Sequence, residues 1–171
     1  MVGGSADAGT ATPTEDDDMG TIVAGTDGSE HARDALVWAV DEARRRGSEL
    51  LVVHAWETPI TAYPGPLMGA RAVDIEASIE AFHETAYKQA DEMRTWLHAN
   101  AAGVTAHVSV LEGAAATRLL EASADADLLV LGSRGHGGFS TLLLGSVSDQ
   151  CVRRSVCTVV IVPSGERAAR A

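Results

Sequence analysis

The stretch Leu128-Leu129-Val130-Leu131-Gly132-Ser133-Arg134-Gly135-His136-Gly137-Gly138 reads as two elements in succession. Its first four residues are apolar without alternation, the pattern of a short strand buried on both faces. The glycines and polar residues that follow stop the strand and open a loop. A strand of this kind needs helices above and below it, so the fold class turns on whether strands and helices alternate along the chain.

They do. Upstream, Thr21-Ile22-Val23-Ala24 is a β-branched run that stops at Gly25-Thr26-Asp27-Gly28. Ala32, Ala35, Leu36, Ala39, Val40 and Ala43 then recur at the spacing of an amphipathic helix, with Arg44 to Arg46 and Gly47 at its end. Leu50 to Ala55 is a second strand. Glu57 to Gly69 holds three of the five prolines and reads as a long loop. Ile75, Ile79, Phe82, Ala86, Ala90, Met93 and Leu97 line one face of a long helix. Val104 to Leu111 alternates as a strand, and Ala114 to Ala124 is helical. Past the glycine loop, Ser146 to Arg154 reads as a helix and Thr158 to Val162 as a strand stopped by Pro163. The expected fold is α/β, an open doubly wound five-stranded parallel sheet with helices on both faces. Residues 1–19 are expected as a disordered acidic tail, 20–163 as one domain and 164–171 as a C-terminal tail.

Composition agrees with one domain. The chain has 171 residues, enough for a single core, and it is 46% hydrophobic but only 4% aromatic, so aliphatic side chains must fill that core. A formal charge of −11 argues against a nucleic-acid or anionic-membrane binder, even after the acidic start is set aside. No apolar run reaches the roughly 18 residues of a membrane span, and the first 18 residues lack a secretory pattern. Cys151 and Cys157 have no framework spacing and read as small buried hydrophobes. Cytoplasm is the expected compartment.

Ligands of such sheets sit beyond the carboxyl ends of the strands, where the two loops rich in small residues lie, Gly25 to Ser29 and Gly132 to Gly138. Gly132 and Gly135 are expected to let the backbone turn tightly and approach an anion without a Cβ in the way. Gly145-Ser146 opens a helix whose free N–H groups and positive dipole end favour a phosphate. Blander readings stay open. Asp27 fits a helix N-cap ahead of Glu30, Ser146-x-x-Asp149 fits a helix start without a ligand, and the glycines fit a plain tight connection. His54 reads as a satisfied interior histidine, and Trp38 and Trp96 as packing residues. His136 is an exposed loop residue or a phosphate neighbour.

The spacing Gly-x2-Gly-x9-Gly-Ser at Gly132, Gly135, Gly145 and Ser146 resembles the ATP-binding signature of the universal stress protein family. Gly25-Thr26-Asp27-Gly28-Ser29 after the first strand, His54-Ala55 closing the second and the terminal Val162-Pro163 are similar too. The resemblance spans about residues 20 to 163 and implies a strand order of 3-2-1-4-5. It implies that Asp27 holds the nucleoside with backbone help from Gly25 and Thr26, and that Ala55 meets the adenine. It places phosphates at Gly132, Arg134, Gly135, Gly145, Ser146 and Val147, with Leu131 and Ser148 beside them. The implied ligand is ATP, or AMP, ADP or cyclic AMP, with magnesium as a companion needing few protein ligands. The implied assembly is a homodimer through Thr158 to Val162, acting as a regulator in stress response. The doubled Gly137-Gly138 departs from the pattern.

Other chemistries fit less well. The only lysine, Lys88, lies inside a helix, so no phosphate-binding Gly-Lys-Ser/Thr loop exists, and Gly25-x-x-Gly28 does not supply a dinucleotide fingerprint. A phospho-acceptor domain would want a lysine where Pro163 stands. Phosphoryl transfer needs a clamp and a base, for which only Arg134 and His136 offer themselves. A slow ATP hydrolase and a dimeric interaction protein without nucleotide remain the alternatives.

Overall fold

A computed structural model describes residues 19–58, 72–135 and 144–163. Residues 1–18 of the expected N-terminal tail, the expected C-terminal tail, most of the Glu57 to Gly69 loop, His136 and Gly137-Gly138 lie outside the described residues. The elements run β1 (Thr21–Thr26), α1 (Glu30–Arg46), β2 (Glu49–Trp56), α2 (Ala72–Asn100), β3 (Ala106–Glu112), α3 (Ala115–Ala122), β4 (Leu128–Gly132), α4 (Ser146–Arg154) and β5 (Thr158–Val162). All five strands are parallel and lie in the order β3-β2-β1-β4-β5, as expected.

Side-chain alternation along the strands divides the core into two layers. Ile22, Ala24, Leu50, Val52, Leu128 and Val130 pack with α1 and the C-terminal half of α2. Val23, Val53, Leu129 and Leu131 pack on the other face with Ala116 and Leu119 of α3 and Cys151 of α4. Continuous apolar strands are what a sheet covered on both sides requires. The six apolar positions read for α1 are all buried, and Gly47 caps that helix in the left-handed conformation, φ 67°, its N–H donating to the Ala43 carbonyl.

The apolar face read for α2 is only partly used. Ala86, Ala90 and Leu97 are buried, but Phe82 stays 42% exposed. A 29-residue helix is ~43 Å long, about twice the span of the seven-residue strand β3 it packs beside, so its first half extends past the sheet. Trp38 and Trp96 pack against the core edge as expected.

Of the two free thiols, Cys151 is fully buried and Cys157 half-buried. Burial pushes the Cys151 thiol up to about 11. The native protein should therefore be alkylated at Cys157 first at pH 8, with Cys151 protected until unfolding, as peptide mass mapping would show. The thiol is protonated in both states below pH 9, so its contribution is fully present there. It is lost as pH rises from about 9 towards about 11, where the unfolded chain alone ionises.

Candidate functional site

β1 and β4 are neighbours, yet the helices that follow them lie on opposite faces of the sheet, α1 on one and α4 on the other. Beyond their carboxyl ends lies a cavity of about 540 Å³. β1 and its loop supply Gly25, Thr26 and Asp27, and β2 supplies Ala55. β4 and its loop supply Leu131, Gly132, Arg134 and Gly135, and the start of α4 supplies Gly145, Ser146, Val147 and Ser148. All twelve positions singled out from the sequence thus line one space. Among the described residues five more line it: Ala32, Val53, Ala115, Leu119 and Leu144. Val53 was legible from the period-2 spacing to Ala55. Ala115 and Leu119 were not, because only the stacking of α3 over that face brings them in.

The cavity is divided chemically. Val53, Ala55, Ala115, Leu119 and Leu131 form an apolar side, while Asp27, Arg134, Ser146 and the peptide groups of α4 form a polar one.

The first loop is shaped by its own side chains. Thr26 Oγ1 accepts from the Gly28 N–H (3.1 Å), Asp27 Oδ1 accepts from the Ser29 N–H (3.0 Å) and Ser29 Oγ accepts from the Ala32 N–H (3.1 Å). The N-cap of α1 is therefore Ser29, not Asp27. Asp27 stands two residues earlier, where its side chain closes an Asx turn instead of a helix. Its Oδ2 lies against Gly135, in the space a Cβ there would occupy.

The second loop is stitched to its neighbours by the backbone. The Ser133 N–H donates to Val162 of β5 (2.8 Å), the Gly145 N–H donates to Ser133 (2.8 Å), and the buried Ser148 hydroxyl donates to the Gly132 carbonyl (2.7 Å). The Ser148 hydroxyl is thus engaged within the protein itself.

Helix α4 begins differently from α1. Its N-cap is Gly145, with no side chain to accept from the first turn and no side-chain capping bond. Asp149 in that turn pairs with Arg153, whose guanidinium hydrogen bond holds the carboxyl below its usual range. The leading N–H groups of the helix, with their dipole, are left facing the cavity. Arg134 lines the same space, and its guanidinium has no hydrogen-bond or ion-pair partner among the described residues. Arg44, Arg46, Arg94, Arg118 and Arg153 are all paired with carboxylates.

The glycines of this site serve close approach rather than a turn. Gly132, Gly135 and Gly145 are absent from the positive-φ glycines, so the backbone asks for glycine at none of them. A Cβ on Gly132 would lie 3.1 Å from the His31 carbonyl oxygen, and one on Gly135 would meet the Asp27 carboxylate. Gly145 is the exception. Its φ is −71°, and the nearest atom to an added Cβ is the Arg134 Cα at 3.4 Å, an ordinary contact. Nothing among the described residues requires glycine there.

His54 is 6% exposed with Nδ1 3.1 Å from the Thr26 carbonyl oxygen, the satisfied interior histidine expected of it. Among the described residues no group of three His, Cys, Asp or Glu side chains is placed to hold a metal ion, and no helix is long and apolar enough to cross a membrane.

Comparison with known proteins follows the same outline. The sequence model described as the universal stress protein family matches residues 19–163. A universal stress protein of Thermus aquaticus is 36% identical over 148 residues, covering 83% of this chain and 97% of that protein. One from Mycobacterium tuberculosis is 33% identical over 141 residues, and there the chain spans 44% of the relative's length. A solved universal stress protein in complex with cAMP superposes with a TM-score of 0.60 at 27% identity, over 85% of this chain and 98% of that one.

Proposed function

The chain belongs to the universal stress protein family, and from that premise we propose that its cavity holds an adenine nucleotide and that the protein acts as a dimeric regulator responsive to that ligand. The observation that carries this reading is the start of α4, which has no side-chain cap among the described residues and faces the cavity beside Arg134, itself without a partner among them. Among the described residues Arg44, Arg45, Arg46, Arg94, Arg118 and Arg153 pair with carboxylates while Arg134 does not, and Arg134 shares one space with a helix N-terminus, an arrangement suited to receive an anion. The relative solved with cAMP supports an adenine nucleotide as the class.

In this reading the base lies on the apolar side against Ala55, and the sugar hydroxyls bond to Asp27. The phosphates lie among Gly132, Arg134, Gly135, Gly145, Ser146 and the N–H groups of Val147 and Ser148. Four or five charge-assisted hydrogen bonds, each contributing about 1.5–3 kcal/mol, less the ordering cost of association, suffice for the roughly 8 kcal/mol of micromolar binding. ATP, ADP, AMP and cyclic AMP all fit the class. Magnesium, if it accompanies a polyphosphate, is held by the phosphates and water. The partner copy is proposed to pair through Thr158 to Val162, an edge strand flanked by the exposed Val152 and Val156.

Titration calorimetry with the four nucleotides tests the reading, and no saturable heat from any of them would end it. Sedimentation with and without ATP tests the ligand-responsive dimer. Gly145→Ala is the more pointed variant. The fold tolerates the added Cβ, so the melting temperature should hold, while the methyl group in front of the helix start weakens nucleotide binding by about tenfold. Unchanged affinity would place the phosphates elsewhere.

A further inference from the structure

We infer that His54 is a positioning residue for the nucleotide site, securing the direction of the Thr26–Asp27 peptide at the end of the β1–β2 ladder from the face of the sheet away from the cavity. The inference rests on the nucleotide reading above and adds a residue that does not line the cavity.

His54 is the last residue of β2 in register with β1, opposite Thr26. Alternation sends Val53 and Ala55 into the cavity wall. His54 shares the other face with Leu50 and Val52, which pack towards α1 and α2. There its ring is buried, with Nδ1 3.1 Å from the Thr26 carbonyl oxygen. A carbonyl only accepts, so Nδ1 carries the proton in this bond.

The Thr26 carbonyl and the Asp27 N–H belong to one peptide plane. The described residues contain no cis peptide, and in a trans unit the two groups point in opposite directions. The ladder already points this carbonyl at β2, because the Thr26–His54 pairing makes it the acceptor of the Ala55 N–H. The His54 ring is a second donor that secures it there. Held so, the Asp27 N–H turns away from β2, towards the β4 side, where the cavity opens. The same plane begins the turn that lays the Asp27 carboxylate against Gly135. The loop bonds of Thr26, Asp27 and Ser29 reach only two or three residues along the chain, so they give the loop its shape. The His54 bond crosses 28 positions, and together with the last ladder bond it ties that shape to the sheet.

Three substitutions separate this role from packing. The amide nitrogen of His54→Asn takes the place of Nδ1. His54→Gln carries the same group one carbon further, near the place of Nε2, and His54→Leu carries none. ATP calorimetry should find Asn within about threefold of the native affinity and both Gln and Leu about tenfold weaker, the scale of one buried hydrogen bond. In the ligand-free protein the Asp27 amide resonance should shift in His54→Leu and return in His54→Asn. Native affinity in all three variants, or Asn as weak as Leu, overturns the inference, as does an Asp27 amide indifferent to His54→Leu. If the native protein binds no nucleotide, the proposed function fails by itself. The amide measurement then decides the positioning role: a shift that Asn restores upholds it, and no shift removes it.

Discussion

Gly135→Val should raise the dissociation constant for nucleotide by at least about a hundredfold while leaving the fold in place. The backbone at Gly135 is not left-handed, so valine is conformationally allowed there. What the new side chain meets is the carboxylate end of Asp27, whose Oδ2 occupies the position of the Cβ. A side-chain terminus moves cheaply, and so the stability loss is small. The displaced group, however, is the one assigned to the nucleoside, and the branched methyls enter the space assigned to phosphate. Losing two charge-assisted hydrogen bonds corresponds to about 3–6 kcal/mol, of which about 2.7 kcal/mol is a hundredfold in affinity. Calorimetry for binding and thermal melting for the fold should be run on the same preparation. Gly132→Val provides the contrast. Its Cβ would press on the backbone carbonyls of His31 and Arg134, which do not swing aside, and overpacking of that kind costs the fold about 1–3 kcal/mol. A Gly135→Val protein that binds ATP normally would show that the two loops do not share a ligand.

The largest effect on stability is expected at Leu129→Ala. Leu129 has no exposed surface, lies in β4 between Val23 of β1 and Val159 of β5, and packs in the layer beneath α3 and α4. Truncation removes buried methyl groups and leaves a cavity in an interior that relaxes little, a loss of about 2–5 kcal/mol. In a chain of this size that lowers the melting midpoint by roughly 5–15 °C. The same strand ends at Gly132, so the variant should also bind nucleotide less tightly near its melting range. Denaturant titration reads the loss directly. A change below about 1 kcal/mol would mean that β4 is not an interior strand of the sheet.

The parts of this protein that follow from neighbouring residues are legible in the order of the amino acids. Strands β1, β4 and β5 and helices α1 and α4 announce themselves through apolar runs, three-four spacing, the Arg44 to Arg46 run ahead of Gly47, and the glycine loop. The end of β3 at Glu112 and the true start of α2 do not, because alternation weakens where a strand is half-buried and a helix outruns its support. The strand order came from family resemblance and not from periodicity, since no local pattern records which strand lies beside which. Of the twelve cavity positions, the two glycine-rich loops and the Gly145-Ser146 helix start mark themselves by residue type, whereas Ala55, Leu131, Arg134, Val147 and Ser148 came from the family resemblance.

Other assignments needed the third dimension. Several side chains in this region compete for the same few backbone partners, and the fold chooses among them. Ser29 rather than Asp27 caps α1, the Ser148 hydroxyl turns to the Gly132 carbonyl, and His54 reaches Thr26 across 28 residues. Sequence alone determined which elements form and which residues lie at their ends, because those choices are governed by short-range sterics and burial. Which atoms finally meet at the crevice was decided by the packing of distant segments, where differences of about one hydrogen bond select the partner.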